Sequence, residues 1–495
     1  MNTSAWLGRS VAKLIPGQKK QPKCDHPSAD RSLAAIKKEL IAASSEALAA
    51  RSTRERLAAT LRAREEALSP RVLRRTLEEL KAIVDPRISE VEGGRRAQGV
   101  ARWYAQATVA QRRDMWLLMS EQFMADPQTV KQAQARFAAA VGTPDEAAAE
   151  VEYRRATVSP RRRLLQRFSV FDGGIRFLVD LRAEMLPFLK TDRRLQALDV
   201  EMEYMFSTWF DVGFLDLRRI TWDSPASLIE KLIKYEAVHD IRSWADAKNR
   251  LDADRRCYGF FHPRLPDEPL IFVEVAFTTA MADSITPLLD EEAPPADPAR
   301  CSTAVFYSIS NAQPGLRGVS FGDSLIKRVV DTLKAELPRL KVFSTLSPIP
   351  GMRNWLTEQA PTLLERTAPK QRAELARALE PAPLGAESVL AALEDPAALD
   401  ASSPLRLWLM QCGAVYLGRE MADGKPRDAV ARFHLGNGAR VERINWAADP
   451  SAKGRRQSLG LMVNYLYDLR RLDRHRSQLA QGRIPVSSAV EALLF

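Results

Sequence analysis

Three groups of residues in this chain of 495 could do chemistry. The first is a loop, Gln313-Pro-Gly-Leu-Arg-Gly-Val-Ser-Phe-Gly322, lying between a β-branched run and an amphipathic one. A helix start exposes about four unpaired N–H groups and a partial positive charge, which suits a diphosphate. Gly315, Gly318 and Gly322 would let backbone approach phosphates without Cβ clashes. The same glycines also suit a plain strand-to-helix turn, so the loop alone leaves both readings open. The second group is the histidines, of which there are five: His26, His239, His262, His434 and His475. His26 and His475 read as solvated, and His239 and His262 as loop caps. His434, between Phe433 and Leu435, reads as a core residue or a proton carrier. The third is Ser347, held before Pro348 and Pro350. Taken by itself this is a Ser-Pro turn. It lacks a G-x-S-x-G elbow, so hydrolase-type attack is not indicated.

The elements that must position these groups differ between the two parts of the chain. Up to about Lys190, segments 32–48, 53–68, 70–84, 97–123 and 127–141 read as helices. Leu73, Leu77, Leu80 and Val84 recur at three- and four-residue steps, and Pro70, Pro127 and Pro160 fall near breaks. Thr143-Pro-Asp-Glu146 reads as a helix start. From Gly213 onward, 269–278, 302–310 and 341–346 read as strands, with a helix at 323–337 and inserted helices over 358–399. Residues 431–444 read as a strand or hairpin turning at Gly436-Asn-Gly438, and 459–472 as a last helix. The expected domains are a mobile segment 1–24, an all-helical domain 25–190 and a catalytic domain 191–495.

Composition narrows the function. The chain is 45% hydrophobic and 27% charged, with no apolar run approaching the ~18 residues of a membrane span. Cys24, Cys257, Cys301 and Cys412 are far apart and form no zinc spacing with histidine. The net charge of +11 comes mainly from arginines scattered through helices that also carry Glu. It reads as solvated faces, and no basic stripe with interleaved aromatics points to nucleic acid. No secretory leader or C-terminal Ser-Lys-Leu is expected, and the expected compartment is the cytoplasm.

The loop resembles the pyrophosphate arm of the GCN5-related acetyltransferase fold. Arg317 and Gly322 match its ends, while Ser320 stands where a glycine is usual. No G-x-G-x-x-G opens a βαβ unit, so a Rossmann domain is not indicated. The wider string is similar to the malonyl-CoA decarboxylases in order and spacing. Ser347-Pro-Ile-Pro350 and Phe433-His-Leu435 are its most specific motifs, with Leu461-Met-Val-Asn-Tyr-Leu-Tyr467 further on. The resemblance implies an α+β multidomain protein: an N-terminal all-α bundle, then an acetyltransferase-like α/β catalytic domain with inserted helices. It also implies Ser347, His434 and Tyr467 as catalytic residues, and Arg317, Gly318, Val319, Ser320, Phe321, Gly322 and Asp323 as the diphosphate-binding set. Asn445 is a further candidate. Glu274 could serve as an acetyltransferase-type base but is left out of the decarboxylation chemistry.

The implied reaction converts malonyl-CoA to acetyl-CoA and carbon dioxide. The thioester carbonyl is itself an adequate electron sink, so no metal or organic cofactor is expected. His434, whose ordinary value near 6.5 leaves both forms accessible at neutral pH, would protonate the enolate. Ser347 and Tyr467 would supply hydrogen bonds to the malonyl group. The resemblance further implies a homo-oligomer, with a tetramer among the options. An acyl-CoA-dependent N-acyltransferase and a non-catalytic acyl-CoA-binding scaffold are the alternatives.

Overall fold

A computed structural model describes residues 68–319 and 325–494. The expected segment 1–24, the helix expected at 32–48 and all but the last residue of the one expected at 53–68 lie outside the described residues, as do Ser320, Phe321, Gly322 and Asp323. Among the described residues eight α-helices come first, from Pro70–Ile83 to Gln196–Trp209. Pro70, Pro127 and Pro160 each occupy the first position of a helix, where the missing N–H costs nothing. Segment 97–123 is two helices rather than one, Glu90–Gln106 and Val109–Glu121. Thr108 starts the second with a capping box, exchanging hydrogen bonds with Gln111 at 3.3 and 2.9 Å.

The sheet follows, and helices run as far as Trp209 before its first strand, β1 (Asp216–Ile220). β2 (Arg255–His262), β3 (Leu265–Thr278) and β4 (Thr303–Asn311) extend it in antiparallel fashion. β5 (Val342–Thr345) then pairs parallel with β4, from Thr303–Val342 to Phe306–Thr345. Beyond Leu346, whose N–H reaches the Phe306 carbonyl at 3.0 Å, the two strands part. β7 (Met421–Ala422) and β8 (Lys425–Pro426) form a separate pair, whereas β6 (Ser347–Pro348) pairs with β10 (Met462–Leu466), which also holds β9 (Arg440–Asn445). This parting of two parallel strands leaves a cleft in the middle of the sheet, as the acetyltransferase resemblance implies.

Two expectations are corrected here. Residues 431–444 are not a hairpin: Ala429–Gly436 is a helix, and only Arg440–Asn445 is a strand. Asp428 caps that helix, accepting the N–H groups of Val430 and Ala431 at 2.9 Å each. Its buried face is Ala431, His434 and Leu435, a three- and four-residue spacing. Residues 459–472 are not a helix either. Met462–Leu466 is a central strand with neighbours on both edges. Its residues are buried on both faces, so it shows no alternation, and a short apolar run of that kind cannot be told from a buried helix.

One apolar core spans the helices and a face of the sheet. Trp116, Leu178 and Phe206 belong to the same cluster as Val273, Phe306 and Tyr467. The opposite face packs through Ala276, Val305, Tyr307 and Met462. The cleft between β4 and β6 is thereby walled by two packed layers, which fixes the side chains projecting into it.

Candidate active site

The parted strands open a cavity of about 590 Å³, lined by Phe306 and Ile309 of β4, Ser347 of β6, and Val430, Phe433 and His434 of the helix Ala429–Gly436. Three elements distant in sequence bring one hydrogen-bonded chain together there. The Ser347 hydroxyl lies 3.2 Å from His434 Nε2, and His434 Nδ1 lies 2.8 Å from the Tyr467 hydroxyl. Ser347 also donates to Thr345 Oγ1 at 2.9 Å. That Thr345 oxygen accepts the Tyr465 N–H as well, at 3.1 Å. The His434 ring stacks on Tyr465, with centroids 4.6 Å apart. Ser347, His434 and Tyr467 are all buried.

The network sets the proton positions. With Ser347 donating to Thr345, Nε2 must donate to Ser347, so Nδ1 accepts and Tyr467 donates. Burial supports the same assignment. It pushes the Tyr467 hydroxyl well above its ordinary range, so the phenol keeps its proton. Burial also brings His434 down from 6.5 to about 3. The expectation that both forms of His434 are accessible at neutral pH is therefore corrected. Among the described residues no carboxylate pairs with the ring, and transfer of a cation into an apolar pocket is costly, so the imidazole is neutral.

The proposed diphosphate arm is described only as far as Val319. Val319 and Leu325, on either side of residues 320–324, line the cavity. Arg317 and Gly318 are exposed on the approach to it, and Gly318 takes a φ of +82° that favours glycine. Gly315 has a different role from the one expected. A Cβ there would lie 1.9 Å from the Val179 carbonyl, so this glycine permits close packing against the helix Gly174–Met185.

The remaining candidates serve the frame. Asn445 donates to Asn464 at 2.9 Å, and Asn464 donates to the Thr345 carbonyl at 2.7 Å, which pins the end of β5 two residues before Ser347. Glu274 is buried against Arg250 at 3.2 Å, and burial with the nearby Glu236 carboxylate raises it to about 8. His262 Nδ1 accepts the Arg264 N–H at 3.1 Å, as a loop cap does. His475 is buried rather than solvated, with Nδ1 2.9 Å from the Gly438 carbonyl. His26 lies outside the described residues. Thr345, Tyr465 and Asp428 were missed by sequence reasoning. Two had a usable signal: Thr345 sits two residues before Ser347 and so shares its face of an extended chain, and Asp428 is a helix-cap residue type ahead of Ala429–Gly436.

Comparison with known proteins gives the family. The profile of the malonyl-CoA decarboxylase C-terminal domain matches residues 213–495, and that of the N-terminal domain matches 123–210. The mitochondrial malonyl-CoA decarboxylase of Anser anser anser is 38% identical over 341 residues, 64% of this chain and 65% of that one. The mitochondrial enzyme of Rattus norvegicus is 40% identical over 337 residues, 65% of this chain and 68% of its own. The match thus spans about two thirds of the length of these relatives. Among solved structures, malonyl-CoA decarboxylase from Cupriavidus metallidurans shares 42% identity with a TM-score of 0.68, covering 86% of this chain and all of that one. The Agrobacterium vitis protein gives 38% and 0.75, covering 85% of this chain and 99% of its own. The splayed sheet, its buried serine–histidine–tyrosine chain and these matches lead to one conclusion: the chain belongs to the malonyl-CoA decarboxylase family.

Proposed function

We propose that this protein decarboxylates malonyl-CoA to acetyl-CoA and carbon dioxide, using Ser347, His434 and Tyr467 and no metal or organic cofactor. The observation that carries this reading is the buried hydrogen-bonded chain at the floor of an apolar cleft. Loss of carbon dioxide moves an electron pair into the thioester carbonyl and spreads the negative charge. An apolar wall of Phe306, Ile309, Val430 and Phe433 strips water from the substrate carboxylate. Donors fixed before the reaction then favour the enolate over the ground state. The Ser347 hydroxyl turns from Thr345 to the substrate and delivers a proton to the enolate carbon. It recovers a proton from His434 Nε2 as Nδ1 takes the proton that Tyr467 donates to it, so the ring stays neutral throughout, and solvent returns the proton to the relay. Tyr467 holds the ring in the required tautomer. Residues 317–323 take the diphosphate.

Incubation of the purified protein with malonyl-CoA alone tests the reading. Release of carbon dioxide with stoichiometric acetyl-CoA is expected. Acyl transfer that requires an added amine would replace it with the N-acyltransferase alternative, and binding without turnover with the scaffold. Cytoplasmic placement and self-association are further parts of the proposal. Buried, unpaired Cys257, Cys301 and Cys412 fit a reducing compartment. Self-association rests on the family resemblance. Cell fractionation and sedimentation equilibrium check these two points.

The neutral histidine predicts a pH profile. The kcat is expected to show no inflection near 6.5, because folded His434 stays unprotonated down to about 3. An inflection at 6.5 that disappears in His434→Asn would show an imidazolium donor and overturn this mechanism. Stability follows with its own sign. Unfolding returns His434 toward its ordinary 6.5, so the unfolded chain binds a proton that the folded one refuses. His434 therefore costs no stability above about 6.5 and an increasing amount as pH falls from there toward 3.

A further inference from the structure

We infer that the helical half of the molecule sets the grip on the diphosphate, with Arg182 as a positioning residue for the loop at 315–319. This rests on the coenzyme A reading of that loop. Arg182 lies on the helix Gly174–Met185 and is 1% exposed. Its Nη1 donates to two carbonyls of the loop, Gly315 at 2.8 Å and Arg317 at 2.9 Å. Asp199 accepts from its Nε at 2.8 Å, and Glu203 lies 3.6 Å from Nη2, so the guanidinium is itself held. Two further contacts staple the same stretch. Gly315 packs directly on the Val179 carbonyl. Arg176 donates at 2.7 Å to Gln313, which in turn donates to the Pro269 carbonyl of β3 at 3.0 Å.

The consequence follows from peptide geometry. In a planar trans peptide the N–H points opposite to the C=O. The Arg317 carbonyl faces inward to Arg182, so the Gly318 N–H faces away from the helix. Gly318 is exposed, and no acceptor for its N–H exists among the described residues. The neighbouring N–H groups are already committed within the loop, Leu316 to Gln313 and Val319 to Leu316. Arg182 thus turns one peptide so that a free N–H stands beside Val319, at the edge of the cavity. A phosphate oxygen is the natural acceptor for such an oriented, unpaired donor. Arg182 touches no substrate; it acts through the loop.

The test is Arg182→Lys in the full-length protein, assayed with malonyl-CoA and with malonyl-pantetheine, which lacks the diphosphate. A lysine keeps the charge but cannot match the fork that spans both carbonyls and Asp199. A roughly ten- to hundredfold rise in KM for malonyl-CoA is expected, the size of one charge-assisted hydrogen bond. The kcat at saturation and both constants for malonyl-pantetheine should stay at wild-type values. Equal losses on the two substrates, or an unchanged KM, would overturn the inference. Should Arg182→Lys not fold, Asp199→Asn loosens the guanidinium without removing it and is read in the same way. Calorimetry with coenzyme A on the wild type separates the two levels. Binding without decarboxylation would overturn the proposed reaction and leave the loop assignment standing, with the variant's coenzyme A affinity then read in place of KM. No binding would overturn both.

Discussion

His434→Asn is expected to lose about two to four decades of malonyl-CoA turnover, the range for removing a group that carries a proton in the transition state. The asparagine amide is near the ring in size and can still donate toward Ser347, but it cannot give up and regain a proton near neutral pH. Coenzyme A affinity should be unchanged, since the ring bonds to Ser347 and Tyr467 and stacks on Tyr465, with no hydrogen bond to the loop at 315–319 among the described residues. If His434 were only a core residue, the result would be the reverse. The variant would lose the 4.6 Å stack on Tyr465 and the hydrogen bond to Tyr467, melt earlier, and turn over normally in whatever stayed folded. Turnover and melting temperature measured on the same preparation decide between these outcomes. Near-wild-type decarboxylation by folded His434→Asn would remove the imidazole from the mechanism.

The surroundings of that histidine show which parts of the fold the chain spelled out. Strands β3, β4 and β5 were legible as β-branched runs, and the helix Leu325–Glu336 by its periodic Leu325, Ile326, Val329 and Val330. Misreading began where two periodicities overlap. Ala431, Phe433 and Leu435 alternate with Arg432 and His434, as a half-buried strand would. The competing signal was Asp428 as a helix cap, and in the folded chain that local bond prevails with the packing of Ala431 and Leu435. The Gly436-Asn-Gly438 turn was real, but Gly438 ends a helix there with a φ of +87°. For the site itself, spacing gave nothing. Ser347 and His434 are 87 residues apart, and His434 and Tyr467 are 33 apart. Their convergence depends on β10 sitting between β6 and β9, an order of strands that no local pattern encodes. Family resemblance supplied those three residues. It did not supply Arg182, whose role exists only because two parts of the chain fold against each other.

Ser347→Ala should cost about two to three decades of turnover, the usual loss when one preorganised donor is removed from a site of developing negative charge. The change is small in volume and leaves Pro348 and Pro350 to hold the backbone. Ser347 pairs in register with Val463 of β10, and that pairing does not involve the hydroxyl. Two groups lose a partner, however. His434 Nε2, at 3.2 Å, and Thr345 Oγ1, at 2.9 Å, both bond to the serine oxygen. The stability cost is therefore expected near 1–3 kcal/mol, the penalty for stranding buried polar groups. That is a loss of several degrees at most in a chain of this size, far too little to explain a hundredfold fall in rate through unfolding. The two effects are thus separable in one variant: a modest melting shift with a large kinetic loss. A serine that merely shapes the turn would give the same melting shift with turnover intact, and that result would leave the neutral His434 without any route to the substrate.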